Sequence, residues 1–94
     1  MPDSINPANG ERLAHYEKMS REGIIEIAGA ASRVAGSWGA VPVSDRALLG
    51  TATAAVLDRR RDELALLITR EMGKPIREAQ AEIEKCAWVC RYYA

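Results

Sequence analysis

Glu71-Met72-Gly73-Lys74-Pro75 joins a helix stop to a helix start within five residues. Glycine takes the left-handed conformation that closes a helix, lysine suits the negative end of the helix dipole, and proline suits the first position of the helix that follows. The stretch therefore predicts a helix over 62–72, a sharp corner, and an amphipathic helix over 75–94. On that last helix Ile76, Ala79, Ile83, Cys86, Ala87 and Cys90 share one stripe, with Glu78 near its start and Arg91 near its end, the order the dipole favours. A second strip, of Ala81, Trp88 and Tyr92 around the stem of Lys85, lies about half a turn away. A helix apolar on two sides is normally sandwiched. Covering both sides strains so small a chain, and no C-cap signal follows the last helix at Ala94, so part of the protein is expected to be missing.

Upstream of the corner, Ser44 is the expected cap of a helix over 44–60 on which Leu48, Leu49, Ala52, Ala55 and Val56 share a face. Arg59-Arg60-Arg61 is followed at once by Asp62-Glu63, and Leu64, Leu67 and Ile68 point about a third of a turn away from the preceding stripe. Bases at one helix end and acids at the next helix start place a joint near Arg60 to Asp62. Further upstream, Ser20 caps a helix over 20–39 with Ile24, Ile27, Ala28, Ala31, Val34, Ala35 and Trp38 on one stripe, ended by Gly39 and Pro42. Gly23 stands where an acidic residue would complete a capping box. The small residues predict close approach to a neighbouring element, and Trp38 reads as core or half-buried rather than as a ligand-stacking residue.

Ile5-Asn6-Pro7-Ala8-Asn9-Gly10-Glu11 is a turn signal, with Asn9-Gly10 as the positive-torsion pair of a tight hairpin spanning 5–18 and Leu13-Ala14-His15-Tyr16 as the returning strand. A lone hairpin has little stability of its own. It is expected to lie against the helices or against a sheet supplied beyond Ala94. The fold class is thus mostly α, an N-terminal β-hairpin followed by three to four helices.

With 94 residues, 48% of them hydrophobic, the chain forms at most one small domain or part of one. Thirteen basic and thirteen acidic residues cancel, leaving no electrostatic footprint for nucleic acid or an anionic membrane surface. Two cysteines, no secretory leader and no membrane-spanning apolar run predict a soluble, cytoplasmic protein.

The residue types that carry chemistry are sparse. Cys86 and Cys90 are one helical turn apart, a metal-compatible spacing, but the only histidine, His15, belongs to the hairpin, and both cysteines fall on the expected core stripe as structural thiols. They project in parallel, which disfavours a disulfide, and lie far from a helix N-terminus, which disfavours a nucleophile. Gly73-Lys74 lacks the other parts of a phosphate loop, since Ile68 stands at its first glycine and Pro75 at its hydroxyl position. Gly36 and Gly39 lack the third glycine, the strand and the acidic partner of a dinucleotide fingerprint. Lys74 reads as a helix-end cation, and the triple arginine as a solvated helix end. No catalytic, cofactor-binding or metal-ligating residue is assigned.

Glu71-Met72-Gly73-Lys74-Pro75-Ile76 followed by Glu78-Ala79, Glu82 and Cys86-Ala87-Trp88-Val89-Cys90-Arg91-Tyr92-Tyr93-Ala94 resembles the aldehyde dehydrogenase superfamily, most closely its succinate-semialdehyde dehydrogenase-like members. The hairpin signal from Ile5 to Glu11 resembles the family's opening hairpin. The resemblance implies an N-terminal segment, a helical layer on the α/β dinucleotide-binding domain of an enzyme that oxidises an aldehyde to an acid with NAD or NADP. The family's catalytic cysteine and glutamate lie far downstream and have no counterpart here. It therefore implies a fragment inactive alone and binding no cofactor alone, whose partner is the remainder of a subunit or a homo-oligomer. The alternative from the residues alone is a small helical interaction or oligomerisation module.

Overall fold

The corner at Gly73 organises the structure. In the computed structural model, which describes residues 2–94, Gly73 is left-handed at φ 72° and its N–H donates to the Thr69 carbonyl at 2.9 Å, closing the helix before it. The elements in chain order are β1 (Asp3–Ile5), β2 (Arg12–His15), α1 (Arg21–Ala40), α2 (Val43–Arg59), α3 (Arg61–Met72) and α4 (Ile76–Tyr93). The chain is mostly helical, with one two-stranded antiparallel hairpin at its start.

α2 and α3 run in succession, separated by the single residue Arg60 (φ −98°, ψ 13°). Both lie along α4 in the opposite sense, as cross-pairs between Asp58 and Arg91, Arg61 and Glu84, and Asp62 and Gln80 record. The result is a helical ribbon turned at Gly73. Its seam is built from small residues: Ala54, Ala65, Ala79 and Ala87 have no exposed surface, Ile83 is 7% exposed, and Leu57, Leu64 and Ile68 pack at the edges. Alanines let the helix axes approach closely, so the layer is narrow.

Pro75 takes the cap position before α4 rather than its first turn. α2 likewise departs from expectation. It starts one residue before Ser44, with Pro42 as the cap, because the Pro42 carbonyl already accepts from Asp45 and Arg46 at 3.0 and 3.1 Å. The expected Leu48–Leu49 face does not pack: these residues are 69% and 54% exposed. α2 instead turns Gly50, Ala54 and Leu57 to α4, where a Cβ on Gly50 would stand 3.4 Å from Ala94 Cβ.

The hairpin loop is wider than a two-residue turn. Gly10 alone has the positive torsion (φ 77°), not an Asn9–Gly10 pair. The asparagines act through their side chains instead: Asn6 Oδ1 accepts from Ala8 N–H and Asn9 Oδ1 from Glu11 N–H, each at 2.9 Å. Asn6 then closes the loop through backbone bonds with Glu11 and Gly10, both at 2.8 Å. The helices supply one of the two supports expected for the hairpin. Ser4 Oγ donates to Glu71 Oε1 at 2.7 Å, and Pro7 abuts Gly73.

α1 is capped as expected, with Ser20 Oγ accepting from Gly23 N–H at 3.0 Å. Its apolar stripe is not buried. None of its residues falls in the core, and Trp38, expected core or half-buried, is 45% exposed. The Cα trace measures 47 × 37 × 15 Å, so the molecule is flat. The radius of gyration is 17.3 Å, against roughly 12 Å for a compact chain of this length. One layer of helices cannot cover two faces.

Candidate interaction surfaces

The two sides of the ribbon differ in chemistry because α4 presents different residues about 160° apart. One side carries the ion pairs that cross the seam: Arg61 with Glu84 at 2.7 Å, and Arg91 with Asp58. Arg61 also holds Asp62 at 3.0 Å, and its pKa is raised by the Glu84 hydrogen bond first and the Asp62 bond second. The opposite side carries Cys86, Val89 and Tyr93, with Lys74 donating to Glu82 near the corner. That contact raises the Lys74 pKa.

At the joint, Arg60 grips Glu63 through two N–H groups at 2.7 and 3.0 Å. The bond holds the Glu63 carboxyl below the usual glutamate range and raises the Arg60 pKa. All these pairs are exposed to solvent and fix geometry more than they add stability.

The residues considered for chemistry are scattered. His15 Nδ1 contacts Asp3 Oδ1 within the hairpin, far in sequence from both thiols. Cys86 and Cys90 are free; Cys90 is half-buried, but Cys86 is exposed, contrary to the core position expected of it. The stripe turns Ile83 and Ala87 into the seam, and Cys86, about 60° off Ile83, overhangs its edge. Among the described residues no three histidine, cysteine or carboxylate groups gather at metal-holding distance. Among the described residues no helix is long and apolar enough to cross a membrane. Gly36 and Gly39 lie inside α1 with open space where a Cβ would go, and the two strands are antiparallel. These residues do not fit a dinucleotide, which needs a strand feeding a glycine turn and a helix N-terminus.

What the layer does present is apolar surface. On α4 Trp88 stacks on Tyr92 with centroids 5.6 Å apart, and Tyr93 meets Tyr92 edge-on at 5.0 Å. These three rings are 59%, 68% and 81% exposed. The accessible surface is 7338 Å². A compact monomer of 10.3 kDa exposes about 5,400 Å², so roughly 2,000 Å² is in excess. The α4 aromatic strip was legible from spacing. The alanine and glycine seam of α2 was not, because Leu48 and Leu49 dominate any count of apolar weight; the period of Gly50, Ala54 and Leu57 was its only signal.

Comparison with known proteins accounts for this layer. Residues 2–94 match the model of the aldehyde dehydrogenase family. A probable NADP-dependent succinate-semialdehyde dehydrogenase of Synechocystis is 38% identical over 91 residues, 97% of this chain and 20% of that protein. The NAD(P)-dependent succinate semialdehyde dehydrogenase Sad of Escherichia coli K12 is also 38% identical, over 97% of this chain and 20% of its own length. The crystal structure of succinic semialdehyde dehydrogenase from Streptococcus pyogenes in complex with NADP+ superposes with a TM-score of 0.90 at 29% identity, over 97% of this chain and 20% of that one. The chain thus spans about one-fifth of the length of the relatives it matches. From the hairpin to the end of α4, the chain belongs to the aldehyde dehydrogenase family.

Proposed function

We propose that this chain is the N-terminal helical layer of an NAD(P)-dependent aldehyde dehydrogenase subunit that oxidises succinate semialdehyde to the acid, and that it is inactive by itself. The observation carrying the reading is the agreement between a flat helical layer that leaves α1 and the rings of α4 uncovered and a one-fifth match at a TM-score of 0.90 to a succinic semialdehyde dehydrogenase. Its role is packing. The apolar side of the ribbon and the rings of α4 lie against the remainder of the subunit, which supplies the nucleophile, the base and the nicotinamide site. NAD or NADP is a cofactor of the whole subunit, and no residue of this chain holds it. The compartment consistent with two free thiols is the cytoplasm.

The test is a chimera in which these residues replace the matching fifth of the Escherichia coli relative, assayed with succinate semialdehyde and NADP+ by the absorbance of reduced nicotinamide. The chimera is expected to assemble and turn over, and the isolated chain to give no signal. An insoluble or unassembled chimera, or turnover by the isolated chain, overturns the reading. The other reading, a small self-standing interaction module, draws on the same exposed rings. It requires a cooperative melt and a defined oligomer from the isolated chain, whereas rapid amide exchange throughout and hydrophobic-dye binding would remove it.

A further inference from the structure

The two sides of the ribbon differ in how they dispose of charge. On one, charged and polar groups answer one another across the seam: Arg61 with Glu84 at 2.7 Å, Gln80 with Asp62 at 3.3 Å, and Arg91 with Asp58. On the other, an open groove runs between α2 and α4, lined by Val43, Ala47, Gly50, Val89, Cys90 and Tyr93. Arg46, which also lines it, turns its Nε to the Val41 carbonyl at 3.1 Å. A second depression shares Val89 and Cys90 with the groove and extends it along α4 to Cys86, with Glu82 and Lys85 also lining it. Lys74 holds that Glu82. Val43 and Tyr93 are 72% and 81% exposed, and Cys86 is exposed beside them.

We propose that the groove side is the inner face of this layer, covered by the remainder of the subunit, which closes over Cys86, and that the ion-pair side is the outer surface of the subunit. The inference rests on the subunit reading above and adds to it which face is inner. Taking ion pairs out of water costs more than their mutual attraction returns, whereas apolar surface gains by burial. Of the two faces, the groove is therefore the one to cover. The occupant is the remainder of the subunit because this chain is only 20% of the length of its relatives, which leaves four-fifths of a subunit to seat on it. The surface that fits is apolar, since the groove offers it aliphatic carbon, two thiols and the ring of Tyr93.

Thiol alkylation of the chimera described above tests it, with each modified residue located by peptide mass spectrometry and its rate compared with that in the urea-denatured chimera. Cys86 is expected to react more than about tenfold slower in the native chimera. Arg59→Cys, beside the ion pairs on the other side, is expected to react at close to its denatured rate. A chimera that turns over but leaves Cys86 as reactive as when denatured overturns the inference and leaves the subunit reading standing; one that never assembles overturns both. Equal protection of Arg59→Cys overturns the outer-face assignment, and protection of Cys86 that disappears on dilution to single subunits gives the groove to a neighbouring copy instead.

Discussion

A Cβ on Gly73 would stand 3.1 Å from Pro7 Cγ, so the corner between α3 and α4 and the loop of the hairpin touch where neither has room to spare. The hairpin and the ribbon are thereby made one unit at the residue that also closes α3.

Gly73→Ala meets two penalties there. The left-handed torsion costs a residue with a Cβ about 1–2 kcal/mol, and the new methyl must push a proline ring whose φ is fixed. The expected outcome is a fall in the urea midpoint of the chain equivalent to at least that amount. Gly36→Ala, in open space inside α1, is expected to raise helicity slightly instead.

The hairpin has a second tie to the ribbon, the Ser4 hydroxyl donating to Glu71 Oε1 at 2.7 Å. Removing it with Ser4→Ala costs about 1 kcal/mol. The loss is local. Amide exchange of Asn6, Gly10 and Tyr16, whose N–H groups close the hairpin, is expected to quicken, while the seam amides around Ile83 keep their protection.

Two ion pairs make pH predictions of opposite sign. Glu63 has a lowered folded pKa from its bond to Arg60, so its contribution is present above the usual glutamate range and is lost as pH falls through the lowered value. Lys74 has a raised folded pKa from its bond to Glu82, so its contribution is complete below the usual lysine range and is lost as pH rises through the raised value. Carboxyl and amine NMR titrations are expected to show Glu63 shifted down and Lys74 shifted up. Arg60→Gln and Glu82→Gln, respectively, return them to ordinary values.

The corner, the joint at Arg60 and the Ser20 cap were legible because each is decided within a few residues: a torsion only glycine favours, a reversal of charge order, and a hydroxyl three residues before an orphan N–H. Ala79, Ile83 and Ala87 of the α4 stripe are buried as their spacing predicts, but the burial of the α1 and α2 stripes was not legible. Spacing shows that Ile24, Val34 and Trp38 share a side of α1, but burial needs a second surface, and this layer offers none to α1. On α2 the apolar weight of Leu48 and Leu49 pointed away from the residues that pack, since close axes select the smallest side chains rather than the most hydrophobic.

That inversion gives a direct test of the seam. Ala79 has no exposed surface and packs in the cluster with Ala65 and Ile83, between α3 and α4. Ala79→Leu adds three carbons at a position with no exposed surface. The expected cost is about 1–3 kcal/mol, because the helices must part or the leucine leave its preferred rotamers. Leu48→Ala removes three carbons from a side chain that is 69% exposed and is expected to change stability by no more than about 0.5 kcal/mol. Hydrophobicity alone predicts the reverse order, the gain of a leucine stabilising and its loss harmful. Chemical denaturation of the two variants beside the parent chain decides it: a larger loss in Leu48→Ala would mean that α2 packs through its leucines and that the alanine seam is not the core.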